Sequence, residues 1–267
     1  MADDSSNRLA WLAVGLALSI VMLSAFKNYF PVVGNQVTNK IQQNVSDNTS
    51  NEVTHTAYAY SADGTDRFST VSPNLNLLNG TKQLNQNLTS HYFAMPTSKT
   101  GGYLNSNYVV CDNPSTNNNV MDFFRAYVKQ NSNPQFQYVK PNTTYTFSEY
   151  VRGHGNVTMY GWSSQGNWIE KNGTATTTLT DDWKLFTYTF TTGSTIVDGA
   201  QIFARVPAGS RTDICLPKLE EGSTATPWMP SSSEANDSDY PPYIGTYTDN
   251  SQTASTDSTK YFWTKRG

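Results

Sequence analysis

Charge is the scarcest commodity in this chain: Asp, Glu, Lys and Arg together make up 15% of its 267 residues, and the formal net charge is only −3. No cluster of Lys or Arg is long enough to track a phosphate backbone, which excludes nucleic acid as a partner. Histidine is equally thin, with three residues at 55, 91 and 154 in unrelated settings. A His-based nucleophilic triad therefore has no support. Glycine-rich nucleotide loops and zinc-protease motifs are missing too. Two cysteines, Cys111 and Cys215, supply too few ligands for a zinc site. They fit either a bridge formed in an oxidising compartment or two buried thiols. Glu149, Glu170, Asp181, Asp182, Glu220 and Glu221 offer carboxylates, but no pair sits in a recognisable glycosidase pattern. The chain is read as a non-enzyme. After residue 50 no segment sustains a helical period.

What is present points to strands. Aromatic residues make up 13% of the chain, and Asn, Ser and Thr are abundant. That composition favours β structure over helix. The exception is the N-terminus, where Leu9–Phe26 is an uncharged run bounded by Arg8 and Lys27. Eighteen residues at about 1.5 Å each reach roughly 27 Å, close to a bilayer core. The run is expected to be a transmembrane anchor within residues 1–27, placing the protein at the cell membrane with its bulk extracellular. A cleaved signal peptide is one competitor, although Asp3 and Asp4 spoil the basic start it prefers. A pilin-like assembly helix is the other. Phe26, Phe30, Val33, Val37 and Ile41 carry an apolar stripe past the membrane, a basis for homo-oligomerisation, though Pro31 and Gly34 interrupt it. Residues 28–52 read as this extension followed by a polar stalk.

A strand-like piece, Thr54 to Tyr60, ends at the turn signal Ala62-Asp63-Gly64. Candidate strands then follow at 75–79, 90–95, 103–111, 120–129, 143–152, 155–163, 173–179, 183–191, 199–206 and 211–219. Many short strands with Gly and Asn punctuation predict an all-β sandwich or jelly roll. Alternation assigns the faces. Tyr145, Phe147, Glu149 and Val151 turn inward, with Tyr150 and Arg152 outward. A carboxylate at 149 then needs partners or a place at the sheet margin. Phe186, Tyr188 and Phe190 turn inward, as do Ile202, Ala204 and Val206, leaving Gln201, Phe203 and Arg205 outward. His154, between two glycines, reads as a turn residue.

Four segments in order carry a resemblance. They are Asn74-Leu75-Asn76-Leu77-Leu78-Asn79-Gly80, Tyr145-Thr146-Phe147-Ser148, Trp183 to Phe190, and the closing Leu219-Glu220-Glu221-Gly222-Ser223-Thr224-Ala225-Thr226-Pro227-Trp228. Together they resemble jelly-roll carbohydrate-binding modules of the family 4/9 type, over residues 72–232. The flanks, Ala57 to Phe68 with Tyr243 to Asp249 and Tyr261-Phe262-Trp263, resemble linker modules of phage tail and prophage minor structural proteins of Gram-positive bacteria. Residues 53–71 and 233–267 are thus expected to form one small β module split by the inserted sandwich. The resemblance implies a wall or surface glycan as partner, held by rings that stack on sugar faces. The outward set for that role is Tyr150, Arg152, Tyr160, Trp162, Gln201, Phe203 and Arg205, with Trp168 in a nearby loop. Trp183 and Trp228 read as structural. The resemblance also implies a structural Ca²⁺, with Asp213 and Glu221 as oxygen ligands. The rival function is a structural or assembly protein of a pilus-like or phage-tail-like fibre, decorated by the β domain.

Overall fold

The computed structural model describes residues 11–20, 22, 40, 52–84, 97–114, 121–129, 138–170 and 173–267. By internal contacts the chain divides into two compact units, residues 1–54 with 248–253, and residues 55–247 with 254–267. In the first, residues 11–20 are helical, about 15 Å at 1.5 Å per residue. Among the described residues no helix is long and apolar enough to cross a membrane. The expected anchor over Leu9–Phe26 falls partly outside the described residues, as does most of the stalk.

The second unit is mostly β. A five-stranded sheet has the order β2 (Thr97–Lys99), β3 (Tyr108–Asn113), β10 (Ser210–Glu221), β5 (Thr144–His154), β8 (Lys184–Thr191). A four-stranded sheet has the order β4 (Met121–Tyr127), β9 (Gln201–Val206), β6 (Asn156–Trp162), β7 (Thr174–Thr178). Their inner faces supply one core, including Tyr145, Phe147, Val151, Phe186, Tyr188, Phe190, Ile202, Ala204 and Val206. These are the residues that alternation turns inward, because one buried face fixes strand register. The segment expected as a strand at 75–79 makes only an isolated bridge, Asn76 to Ser231, and the one at 90–95 lies outside the described residues. Residues 103–105 form a 3₁₀ turn before β3.

Consecutive strands β5 and β6 belong to different sheets. The corner between them is Gly153-His154-Gly155, with both glycines at positive φ (140° and 79°). A Cβ at Gly153 would collide with the Arg211 carbonyl, and one at Gly155 with the Ser210 side chain. Only glycine lets the chain fold that closely over β10 as it leaves one sheet for the other.

Glu149 departs from its expectation. It is fully buried on the core face, and neither carboxyl oxygen has a hydrogen-bond partner. Desolvation pushes its pKa up to about 8, so the carboxyl is held protonated rather than paired. The cysteines are free and buried. Cys111 sits opposite Thr212, whereas Cys215, three residues further along β10, sits opposite Tyr108. An odd offset turns them to opposite faces of the sheet. Cys111 joins the main core and Cys215 a smaller cluster with Tyr108 and Leu216.

The closing segment owes its sequence to a buried polar knot. Glu220 accepts from the Thr226 amide (2.8 Å), the Thr226 hydroxyl (2.5 Å) and Asn74 Nδ2 (3.1 Å). Lys218 Nζ lies 3.2 Å from Glu220 and donates to Thr226 Oγ1 (2.6 Å) and the Pro227 carbonyl (2.9 Å). Burial pulls the Lys218 ammonium down to about 8. Residues 222–228 thereby fold back over the end of β10 and bury Lys218 and Glu220 on the face away from the Leu219 core.

The third sheet joins the flanks of the sandwich. β1 (Val53–Ala59), β11 (Tyr243–Asp249) and β12 (Phe262–Lys265) lie in that order. Tyr261 packs edge-on against Tyr247 and Phe68, at 4.7 and 5.5 Å between ring centres.

Candidate functional site

The outer face of the four-stranded sheet gathers the aromatic side chains. Register places Tyr160 beside Phe203 and Trp162 beside Gln201 on β9, and Tyr160 beside Thr174 on β7. Phe203 stacks on Tyr160 with ring centres 5.2 Å apart and planes 18° from parallel. Trp162 meets Phe203 edge-on at 6.1 Å. Arg205 lays its guanidinium 4.4 Å above the Tyr160 ring and donates to its hydroxyl at 2.6 Å. The Tyr160 ring is therefore fixed by two side chains of β9, and Trp162, 46% exposed, stands at the strand end. Threonines continue the face: Thr158 and Thr176 bond across the strands at 2.8 Å, and Thr178 donates to Asn156 at 3.0 Å.

At the Trp162 end the face runs into a cleft of about 230 Å³ walled by Tyr160, Trp162, Asn167, Thr174 and Tyr188. Tyr188 donates to the Gly173 carbonyl at 2.8 Å, and burial raises its phenol to about 12. It stays a neutral hydrogen-bonding group at any physiological pH. The site thus combines apolar ring faces with hydroxyls, amides and the Arg205 guanidinium, and it suits a hydroxyl-rich ligand.

The expected site residues do not form one constellation. Tyr160, Trp162, Phe203 and Arg205 come together. Within that group Phe203 is only 4% exposed, because Tyr160 and Trp162 cover it; it supports the platform and offers no stacking face. Gln201 is buried and donates to the Gly199 carbonyl at 2.9 Å. Trp168 is not a loop ring at the surface. It is 1% exposed, packs edge-on against Phe190 at 5.5 Å, and donates from Nε1 to the Trp162 carbonyl at 3.2 Å, holding the exposed tryptophan from beneath. Tyr150 and Arg152 lie on the opposite sheet. Tyr150 stacks on Tyr103 at 4.0 Å. Arg152 donates to Asp213 at 3.1 Å and lies 4.6 Å over Trp183.

The calcium pair does not fit a shared ion. Asp213 and Glu221 sit near opposite ends of β10, separated by eight residues or roughly 25 Å of strand. Asp213 is already held by Arg152 and Arg211, and Glu221 by Lys140. Among the described residues no three His, Cys, Asp or Glu side chains converge as a metal site. Sequence reasoning missed Tyr188 and Asn167 as cleft walls. The inward parity of Tyr188 concealed it, since alternation does not show where the edges of the two sheets leave a gap.

Comparison with known proteins narrows the class. Residues 124–209 match the carbohydrate binding domain family. That stretch contains β5 to β9 and the whole Tyr160–Trp162–Phe203–Arg205 group. Among solved structures the chain is similar to the tripod from the baseplate of bacteriophage Tuc2009, at 27% identity over 80% of this chain and 78% of that one, TM-score 0.51. It is also similar to a CBM4 structure, at 16% identity over 48% of this chain and 78% of that one, TM-score 0.34. A family 16 carbohydrate binding module matches at 16% identity over 55% of this chain and all of that one, TM-score 0.36. No curated protein matches the chain.

Proposed function

We propose that this protein is a non-catalytic, phage-tail-type adhesion module that binds a cell-wall or surface glycan on the outer face of its four-stranded sheet. The observation that carries the reading is the exposed Trp162, edge-on to the Phe203 that stacks on Tyr160, with both Trp162 and Tyr160 walling the cleft. A pyranose laid on these rings buries apolar C–H surface, while Thr174 and Asn167 meet its hydroxyls. The match at residues 124–209 and the likeness to a baseplate tripod support this reading. Affinity per site would be modest, and repeated copies would raise it through effective concentration. Pull-down of the full chain on purified Gram-positive cell walls, with Trp162→Ala as comparison, tests it. Loss of a stacking ring should weaken binding at least about tenfold, equivalent to about 1.4 kcal/mol. Equal retention of both proteins sinks the proposal.

The apolar run Leu9–Phe26 favours a second reading of the setting: display from a membrane, with the β region outside the cell. Its test is fractionation. Recovery of the full chain with membranes after a high-salt wash supports it, and recovery in the soluble fraction refutes it.

A further inference from the structure

We infer that the sandwich carries a second sugar-ring site on its opposite face, in the cavity between the five-stranded sheet and the closing segment. This cavity measures about 160 Å³ and is walled by Phe68, Ser148, Tyr150, Leu185, Pro227 and Trp228. A closed apolar cavity of about 150 Å³ holds a benzene ring; this one is open at Leu185, so it takes one face of a sugar ring while the hydroxyls reach the opening. Its chemistry is mixed in the same way as the first site. Three aromatic rings supply apolar area, and Ser148 and Arg67 supply polar edges. The indole of Trp228 lines the cavity, and its N–H is enclosed by the fold without a hydrogen-bond partner, so it reports on changes in the wall.

The walls are built rather than left over from packing. Arg67 lies at the rim with φ of +49°, fixed by a bidentate pair to Asp66 (3.1 and 2.8 Å) and stacked 3.5 Å over Tyr60. Leu216 takes φ of +48° within the bulge that interrupts β10 between Cys215 and Lys218. Two side-chain-bearing residues in the left-handed region therefore border one small cavity, a conformation proteins tolerate where something else depends on it. Tyr150 is backed by its stack on Tyr103, and Leu185 stands 47% exposed at the opening. Only the class of ligand is borrowed from the first site. The two share no residue: the first is walled mainly by β6 and β7 with Tyr188 of β8, the second by β5, Leu185 of β8 and the closing segment. With both occupied, one copy of the chain would bridge two glycan strands.

The experiment follows the indole N–H signals of the full-length, ¹⁵N-labelled chain by NMR. Methyl glycosides of glucose, galactose, rhamnose and N-acetylglucosamine are titrated in turn, and Trp228→Phe and Trp162→Ala assign the two signals. The expected result is a saturable shift of the Trp228 signal with at least one glycoside. It persists in Trp162→Ala and is lost in Leu185→Arg, which plugs the opening from an exposed position. If Leu185→Arg does not fold, Trp228→Phe serves instead, expected to weaken the residual binding in Trp162→Ala at least fivefold. A Trp228 signal that no glycoside moves, while Trp162 responds, overturns the second site and leaves the first standing. Movement of Trp228 with none at Trp162 does the reverse.

Discussion

Glu149 makes the fold sensitive to alkali in a calculable way. Its carboxyl is entirely buried in the sandwich core without a hydrogen-bond partner, and burial raises its pKa to about 8. Unfolded, the same group titrates near its ordinary value of 4.5. Below pH 4.5 it is protonated in both states and costs nothing in charge. Between pH 4.5 and 8 the unfolded chain ionises while the folded one does not, so stability falls as pH rises. The loss is complete above the folded pKa. At about 1.4 kcal/mol per unit, the penalty is about 3 kcal/mol at pH 7 and approaches 5 above pH 8. Glu149→Gln keeps the shape and removes the titration. The variant should match the parent near pH 4.5 and exceed it progressively towards pH 8, by on the order of 10 °C in Tm at pH 7. Scanning calorimetry of both proteins at half-unit intervals from pH 4.5 to 8.5 measures this. Lys218 also titrates near 8, but its contribution is common to both proteins and cancels in the difference. A Tm difference that stays constant across the range would refute the reasoning.

Three further outcomes follow. Glu220→Ala leaves the Lys218 ammonium buried beside an unmatched Thr226 amide, and should cost about 3–5 kcal/mol in a denaturant titration; a loss under 1 kcal/mol would mean the knot carries little. Gly161→Ala drives a methyl into Ile169 and against Trp168, displacing the support under Trp162. It should cost about 1–3 kcal/mol and weaken cell-wall binding, whereas unchanged retention would separate the platform from that loop. Cys111 and Cys215, facing opposite ways across one sheet, should both react with a thiol reagent after unfolding without reductant; absence of free thiol would contradict their placement.

Much of the sandwich was legible because a half-buried strand writes its faces into its parity. Tyr145, Phe147 and Val151, then Phe186 and Phe190, then Ile202 and Val206, turn inward as alternation requires. Parity does not say which sheet a strand joins. Tyr150 and Tyr160 both face away from the core, yet the Gly153-His154-Gly155 corner sends their strands to opposite layers, and the expected single site divides there. Nor does facing outward mean lying exposed. Phe203 and Gln201 point away from the core and are still covered, because neighbouring side chains close over them. Trp168 shows the converse: polar, glycine-bearing surroundings suggest a surface loop, while the indole fills the space between sheets. The closing motif is recognisable as a pattern, but its cause is a buried ammonium and carboxylate tied to Thr226, a pairing across eight residues that alternation does not encode.

The small sheet has a mechanical consequence. Strand β1 leads into the sandwich and β11 leads out of it, and the two are hydrogen-bonded neighbours. Thr54 and Thr248 touch through their hydroxyls at 3.2 Å. A pull that enters through β1 and leaves through β11 therefore loads the hydrogen bonds between them before it reaches the strands of the sandwich. While those bonds hold, the ring-bearing layer stays unstrained, so an attachment made there keeps its shape under load.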